Sequence, residues 1–316
     1  MPTYIARFTI VLKSPIQTSE TSFPTLRVPG HRNFVKETLI KAEPSNGALH
    51  ELRVEVTYSA DDLAHGTIAG APASERGIML SGQEGIIQPP WDTAMSVLGP
   101  LLYHISGLTL QAGAYRDITK NLSRYVKDFT WQMPDGIIVP SFEDGYPIGV
   151  LRNLTDSGVR ALSLDDWNTL QTAVTGSGSS GAPLWRLILA DGHRERGNDV
   201  RKVVLWCAMA LDVGISQFIQ AGKFGDFNID LFCCRGEWKK KGSRTPDLRT
   251  IDLALFNTLA RLWYTRHGIV HRGQSNVYDK RPTPGVLPVD RLTIFYADQF
   301  LCAVPKGVAF VEANPP

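Results

Sequence analysis

Arg266, His267 and His271 fall within six residues, in the stretch Leu262-Trp-Tyr-Thr-Arg-His-Gly-Ile-Val-His-Arg-Gly273. An arginine stays charged and presents a fork of donors matched to phosphate oxygens. A histidine titrates near neutral pH, so it can take or give a proton. Together they suit chemistry at a phosphate. Arg266 would stabilise a charged transition state, His271 would transfer protons, and His267 would position the substrate or assist. Such groups are costly to bury without partners, and Trp263, Ile269 and Val270 flank them, so the stretch reads as a site rather than a solvated face.

Spacing sets a constraint. At about 100° per residue, positions 266 and 271 lie roughly 140° apart on a helix. Either Gly268 lets the helix bend or end, or two chains pool their residues. Two other readings compete. Arg266 and His271 could be structural, holding their helix to Asp212 through buried hydrogen bonds. His267 and His271 also stand at i, i+4, the spacing of two metal ligands on one helical face. No Glu lies between them and no third ligand is evident, so neither a metal nor any other cofactor is expected. Lys239, Lys240, Lys241 and Arg244, beside Trp238, could lead a nucleic acid to the site or form a solvated loop.

The elements that must hold these residues change character along the chain. Residues 1–150 read as a strand-rich domain. Tyr4 to Leu12 is rich in β-branched and aromatic residues. Leu52 to Tyr58 alternates strictly, with Leu52, Val54, Val56 and Tyr58 on one face. Shorter strands are expected at Ile78–Leu80, Ile86–Ile87, Leu108–Gln111, Asp128–Gln132 and Gly136–Val139. Asp92 offers a cap for a helix over Ala94–Ser106, which Gly99-Pro100 should kink or split. Residues 151–182 read as a linker region containing a short helix with Ser163 at its N-cap and Asp166 three residues on. Thr175 to Gly181 is a flexible segment by composition.

From residue 183 to 316 the period becomes helical. Helices are expected from Pro183 toward Gly197, over Val200 to about Ala221, over Asp252 to His267 and over Asp290 to about Val304. Four amphipathic helices make a bundle. The predicted class is α+β: a strand-rich N-terminal domain followed by an all-α domain.

Two places in the second half are similar to HEPN domains, small helical domains many of which cut RNA. Gly197 to Ser216 resembles the family's long helix in which small residues precede an acidic one, here Ala208, Ala210, Leu211 and Asp212. Leu262 to Gly273 resembles its motif of an aromatic or leucine, Arg, a polar residue, an aliphatic pair, His and Gly. His267 stands where Asn is frequent. The likeness covers about residues 183–304. It implies metal-independent RNA cleavage by a dimer whose motifs face each other, with Arg266, His267 and His271 catalytic and Asp212 supporting. RNA would be cut by its own 2′-hydroxyl, leaving a 2′,3′-cyclic phosphate and a 5′-hydroxyl. A defence or toxin role follows, with the first domain sensing a trigger or regulating. The alternative is a non-catalytic HEPN scaffold that binds a nucleotide or a protein; scaffolding members often lack the Arg or the His, and this chain has both.

Bulk properties narrow the setting. With 43% hydrophobic and 20% charged residues, wholesale disorder is not expected. A net charge of +2 is too small to announce a nucleic-acid binder, so contact with RNA must come from a local patch. The best apolar run, Val203–Ala210, is too short to span a bilayer, and no membrane partner is expected. The four cysteines make no CxxC pair and read as reduced cytoplasmic thiols.

Overall fold

A computed structural model describes residues 3–30, 35–59, 90–111, 126–140, 160–175, 181–218, 232–233 and 248–314. The chain is α+β and divides into two compact units, Met1–Asn153 with Arg160–Gly181, and Leu154–Val159 with Ala182–Pro316.

The first unit is built on an antiparallel sheet. Its strands are β1 (Thr3–Gln17), β2 (Leu26–Pro29), β3 (Val35–Ala42), β4 (Ala48–Ser59), β5 (Val126–Gln132) and β6 (Ile138–Pro140), in the order β2-β3-β4-β1-β5-β6. Two-residue alternation puts Tyr4, Ala6, Phe8 and Ile10 of β1 and Leu52, Val54, Val56 and Tyr58 of β4 into the core. Register follows, with Tyr4 opposite Tyr58 and Ile10 opposite Leu52. Trp131 is fully buried among Tyr58 and Phe129. Each large apolar side chain so buried contributes roughly 1.5–3 kcal/mol. Helix α1 (Pro90–Thr109) adds Val97, Leu98, Leu101, Leu102 and Ile105 to this core. It begins ahead of Asp92, so that residue is not its cap, and it runs on through Pro100 rather than splitting. It also takes in Leu108 and Thr109, where a strand was expected; Leu110, with φ at 60°, then turns the chain. The strands expected at 78–80 and 86–87 lie outside the described residues.

The outer sheet face is polar. Arg7 Nε donates to Glu55 at 2.7 Å and its Nη1 to Gln132 at 2.6 Å, and Lys127 reaches Glu51 at 2.6 Å.

The linker expected over 151–182 is not one where it is described. Residues 160–175 belong to the first unit and carry helix α2 (Leu164–Val174). Its capping box forms as the sequence indicated: Ser163 Oγ accepts from the Asp166 amide and Asp166 accepts from the Ser163 amide. The helix is clasped to the strands. Trp167 Nε1 donates to the Pro24 carbonyl at 2.7 Å under a stacked Phe23, and Gln171 bonds both backbone groups of Arg27. Gln111 ties Gln17 to Arg160. The flexible stretch read over 175–181 lies largely outside the described residues.

The second unit holds α3 (Leu184–Glu195), α4 (Val200–Phe218), the short α5 (Leu248–Ile251), α6 (Leu253–Arg272) and α7 (Ile294–Ala313), with a small hairpin of β7 (Asn276–Val277) and β8 (Asp290–Arg291) between α6 and α7. Three boundaries differ from the sequence reading, the end of α6 and both ends of α7, which runs on to Ala313 rather than stopping near Val304. Helix α6 continues five residues beyond His267 and stops at Gly273, whose φ of 64° is the left-handed cap that glycine adopts cheaply. Helix α7 starts at Ile294, because Asp290 and Arg291 pair with Val277 and Asn276 as strands. It runs antiparallel to α6: Leu292 donates to the Ser275 carbonyl just past the end of α6, while Gly307 lies against Leu259. By length and composition α7 could cross a membrane. Ala297, Phe300, Leu301, Val304, Val308 and Val311 are buried, which is the pattern of a bundle's central helix. Cys207 and Cys233 are buried, and burial pushes the Cys207 thiol up.

Asp166 gives a test of the clasp. Burial raises its carboxyl pKa, but hydrogen bonds and charge from Arg160 and Ser163 outweigh this and hold it below the usual carboxylate range. A depressed folded pKa gives stability present above the ordinary value and lost as pH falls through the lowered one. Asp166→Ala should cost about 1–2 kcal/mol in urea unfolding of the full chain at neutral pH. The gap to the parent should close in acid; a gap unchanged by pH would contradict this assignment.

Candidate functional site

Helix α6 buries one stripe along its first half and exposes the continuation of the same stripe along its second. Phe256, Leu259, Ala260 and Trp263 are buried in the bundle. The next positions on that face are Arg266, His267, Val270 and His271. Arg266 and His267 are half-buried, Val270 is 50% exposed and His271 is exposed. The site therefore begins where the core stripe emerges from the bundle.

The side chains form one cluster built on Trp263. The Arg266 guanidinium carbon lies 4.9 Å from the centre of the Trp263 ring. His267 meets the same tryptophan edge-on, with centroids 5.9 Å apart at 87°. His271 then stacks on His267 at 5.4 Å and 19°. The tryptophan, 5% exposed, gives both shoulders a rigid floor.

The opposite face of α6 is strapped down by the segment that follows it. Arg261 Nε donates to Asp279 at 2.6 Å, and the buried Thr265 hydroxyl accepts from the Tyr278 amide at 3.3 Å. The Tyr278 ring lies against Gly268, where a Cβ would come within 2.7 Å of it. The Tyr278 hydroxyl donates to Gln274. Gly268 is thus the seat of Tyr278, not a bend: α6 runs through it unbroken. Of the two alternatives the spacing left open, a bend or end at Gly268 does not occur. They sit on the two shoulders of the emergent face, about 140° apart around the axis.

Asp212 is exposed on α4. His271 is exposed as well. Among the described residues no group of three His, Cys, Asp or Glu is placed to share an ion. Lys239, Lys240, Lys241 and Arg244 lie outside the described residues.

Sequence reasoning passes over several groups. Trp263 reads there as flanking, whereas it is the floor of the cluster; its i, i+4 relation to His267 is the available signal. His193, at the end of α3, has its Nε2 sealed from solvent although the residue as a whole is half-buried. Burial, reinforced by the Arg196 charge and opposed by Asp298, pushes its imidazole down to about 4. Arg196 itself grips Asp298 of α7 with two hydrogen bonds. In the first unit a concavity of about 280 Å³ opens on the polar sheet face, where Arg7, Lys41 and Arg53 are balanced by Glu43, Glu55 and Asp128. It presents no excess charge to a ligand.

Compared with protein-family models, with curated proteins and with solved structures, the chain has no match.

The Tyr278 seat is open to test. Gly268→Ala should destabilise the protein by about 1–3 kcal/mol through overpacking, since the clash is with a buried ring. Urea unfolding measures it. An unchanged midpoint would show that Tyr278 is not held against α6 in this way.

Proposed function

We propose that the second unit is an endoribonuclease that cleaves RNA by attack of the 2′-hydroxyl, without help from a metal ion. The observation that carries this reading is the emergent stripe of α6: a guanidinium and an imidazole, fixed on one tryptophan floor, where the core pattern would otherwise continue with apolar residues. The resemblance of Leu262–Gly273 to the HEPN motif supports it.

In the proposed reaction the 2′-oxygen forms a bond to phosphorus as the bond to the 5′-oxygen breaks. A base takes the 2′-hydroxyl proton and an acid protonates the departing 5′-oxygen. His271 acts in proton transfer and His267 assists or positions. Arg266 offers its fork to the non-bridging oxygens as charge builds on them. Because Arg266 and His271 point to different shoulders of one unbroken helix, the active form is a homodimer in which one copy supplies the arginine and the other the histidine of each site. The first unit is assigned a sensing or regulatory role, on the ground that a ribonuclease of defence or toxin type must be held off until triggered; this part rests on analogy.

The test is incubation of the full chain with labelled RNA in EDTA. The parent should cut and leave 2′,3′-cyclic phosphate and 5′-hydroxyl ends. Arg266→Ala and His271→Ala, with folding verified by circular dichroism, should each lose on the order of 100-fold or more. Equal cutting by the variants would remove these residues from the site. Activity abolished by EDTA would replace the reading with a metal one, and a parent that binds without cutting would favour the scaffold.

A further inference from the structure

The strap that holds α6 has an outer side, and its charge is unbalanced. Arg272 ends α6, Lys280 and Arg281 follow the Tyr278 seat, and Arg291 lies on β8; all four are exposed. None of their side chains meets a carboxylate among the described residues, although the Arg291 backbone amide donates to Asp290. Elsewhere most described arginines do, as Arg7, Arg53, Arg160 and Arg196 show. The acids of the strap are already engaged: Asp279 by Arg261, and Asp290 by the Tyr296 hydroxyl. Topology brings Arg291 near the end of α6, since it pairs with Asn276, four residues after Arg272, and Lys280 and Arg281 follow within four residues of β7.

Two further features fit a ligand better than a solvated face. The strap is stiffened by Pro282, Pro284 and Pro288 and closed by the β7–β8 pair, so its charges are held in place before binding. Beside it, in the first turn of α7, Phe295 is 61% exposed. Unpaired cations next to a bare aromatic ring match a strand of nucleic acid whose bases are free: phosphates meet the cations and a base stacks on the ring. A duplex offers the same phosphates but keeps its bases stacked inside.

We propose that the strap between α6 and α7 is a docking surface for single-stranded RNA, with Arg272, Lys280, Arg281 and Arg291 on phosphates and Phe295 under a base. The proposal rests on the cleavage reading above for the identity of the strand, and it places the substrate directly beside His271, one residue before Arg272. Asp279 and Asp290 keep their own partners, Arg261 and the Tyr296 hydroxyl.

Binding tests it separately from cleavage. His271→Ala in the full chain keeps the RNA intact, and fluorescence anisotropy with a labelled 12-nucleotide oligouridylate gives affinity as a function of salt. Replacing the four cations by alanine should weaken binding at least tenfold and flatten the plot of log K against log salt by about 0.7 for each phosphate left without its cation. Arg281→Ala alone, at an exposed loop position, should give a proportionate part of that change. Phe295→Ala should weaken binding of the single strand and leave binding of a duplex of equal length unchanged. The same affinity and slope in the four-cation variant would overturn the proposal, as would a loss for Phe295→Ala shared equally by the duplex. A parent that cuts RNA while the four-cation variant binds and cuts normally would sink the docking surface alone. A parent that shows this binding but never cuts would sink the cleavage reading alone.

Discussion

Half of α6 is needed to close a bundle and the other half is not, and the rest of the second unit follows from how that helix is held. A helix of 20 residues is about 30 Å long. Its buried stripe of Phe256, Leu259 and Trp263 emerges into Arg266, His267 and His271. Left alone, the emergent turns would fray, because an isolated end gains little from its own hydrogen bonds. The Tyr278 ring on Gly268, the Thr265 hydroxyl on the Tyr278 amide and the Arg261–Asp279 pair fix the back of the helix. The front is then free to present side chains without losing its backbone geometry.

That division explains why the exposed groups keep defined positions. Trp263 is anchored in the core and serves as a floor for Arg266 and His267, and His271 stacks on His267 in turn. Each contact is individually modest, on the order of 1 kcal/mol for a cation over a ring. Their combined effect is to restrict rotamers before any substrate arrives, which is what electrostatic stabilisation of a transition state requires. The same unbroken helix sets Arg266 and His271 on different shoulders. In the proposed reaction a second copy completes the site.

The residues legible in the sequence are those whose pattern is local. Strict alternation from Leu52 to Tyr58 announces β4, and Ser163 with Asp166 announces the capping box of α2. The site triad is legible because its types and spacing are unusual in an apolar helix. What stays hidden depends on distant partners. Strand β3 escapes a local reading because its burial pattern at Val35–Ala42 is set by pairing and not by clean alternation, and β2, though it alternates, is only four residues long. Residues 160–175 resemble a linker because the clasp is made by Pro24, Arg27 and Gln111, far away in sequence. Gly268 reads locally as a helix breaker, whereas the ring that requires a glycine there lies ten residues on. Phe295 and the cations of the strap draw no notice, since nothing local distinguishes an unmatched arginine from a paired one.

The most direct test of the central claim, that two copies of one straight helix share each site, is to mix two inactive variants. Arg266→Ala and His271→Ala, each inactive alone, are combined under conditions that allow subunits to exchange, and RNA cleavage is followed. If arginine and histidine come from different chains, each mixed dimer carries one intact pair and activity returns to a substantial fraction of the parent's. No recovery in mixtures shown to contain mixed dimers would contradict the account.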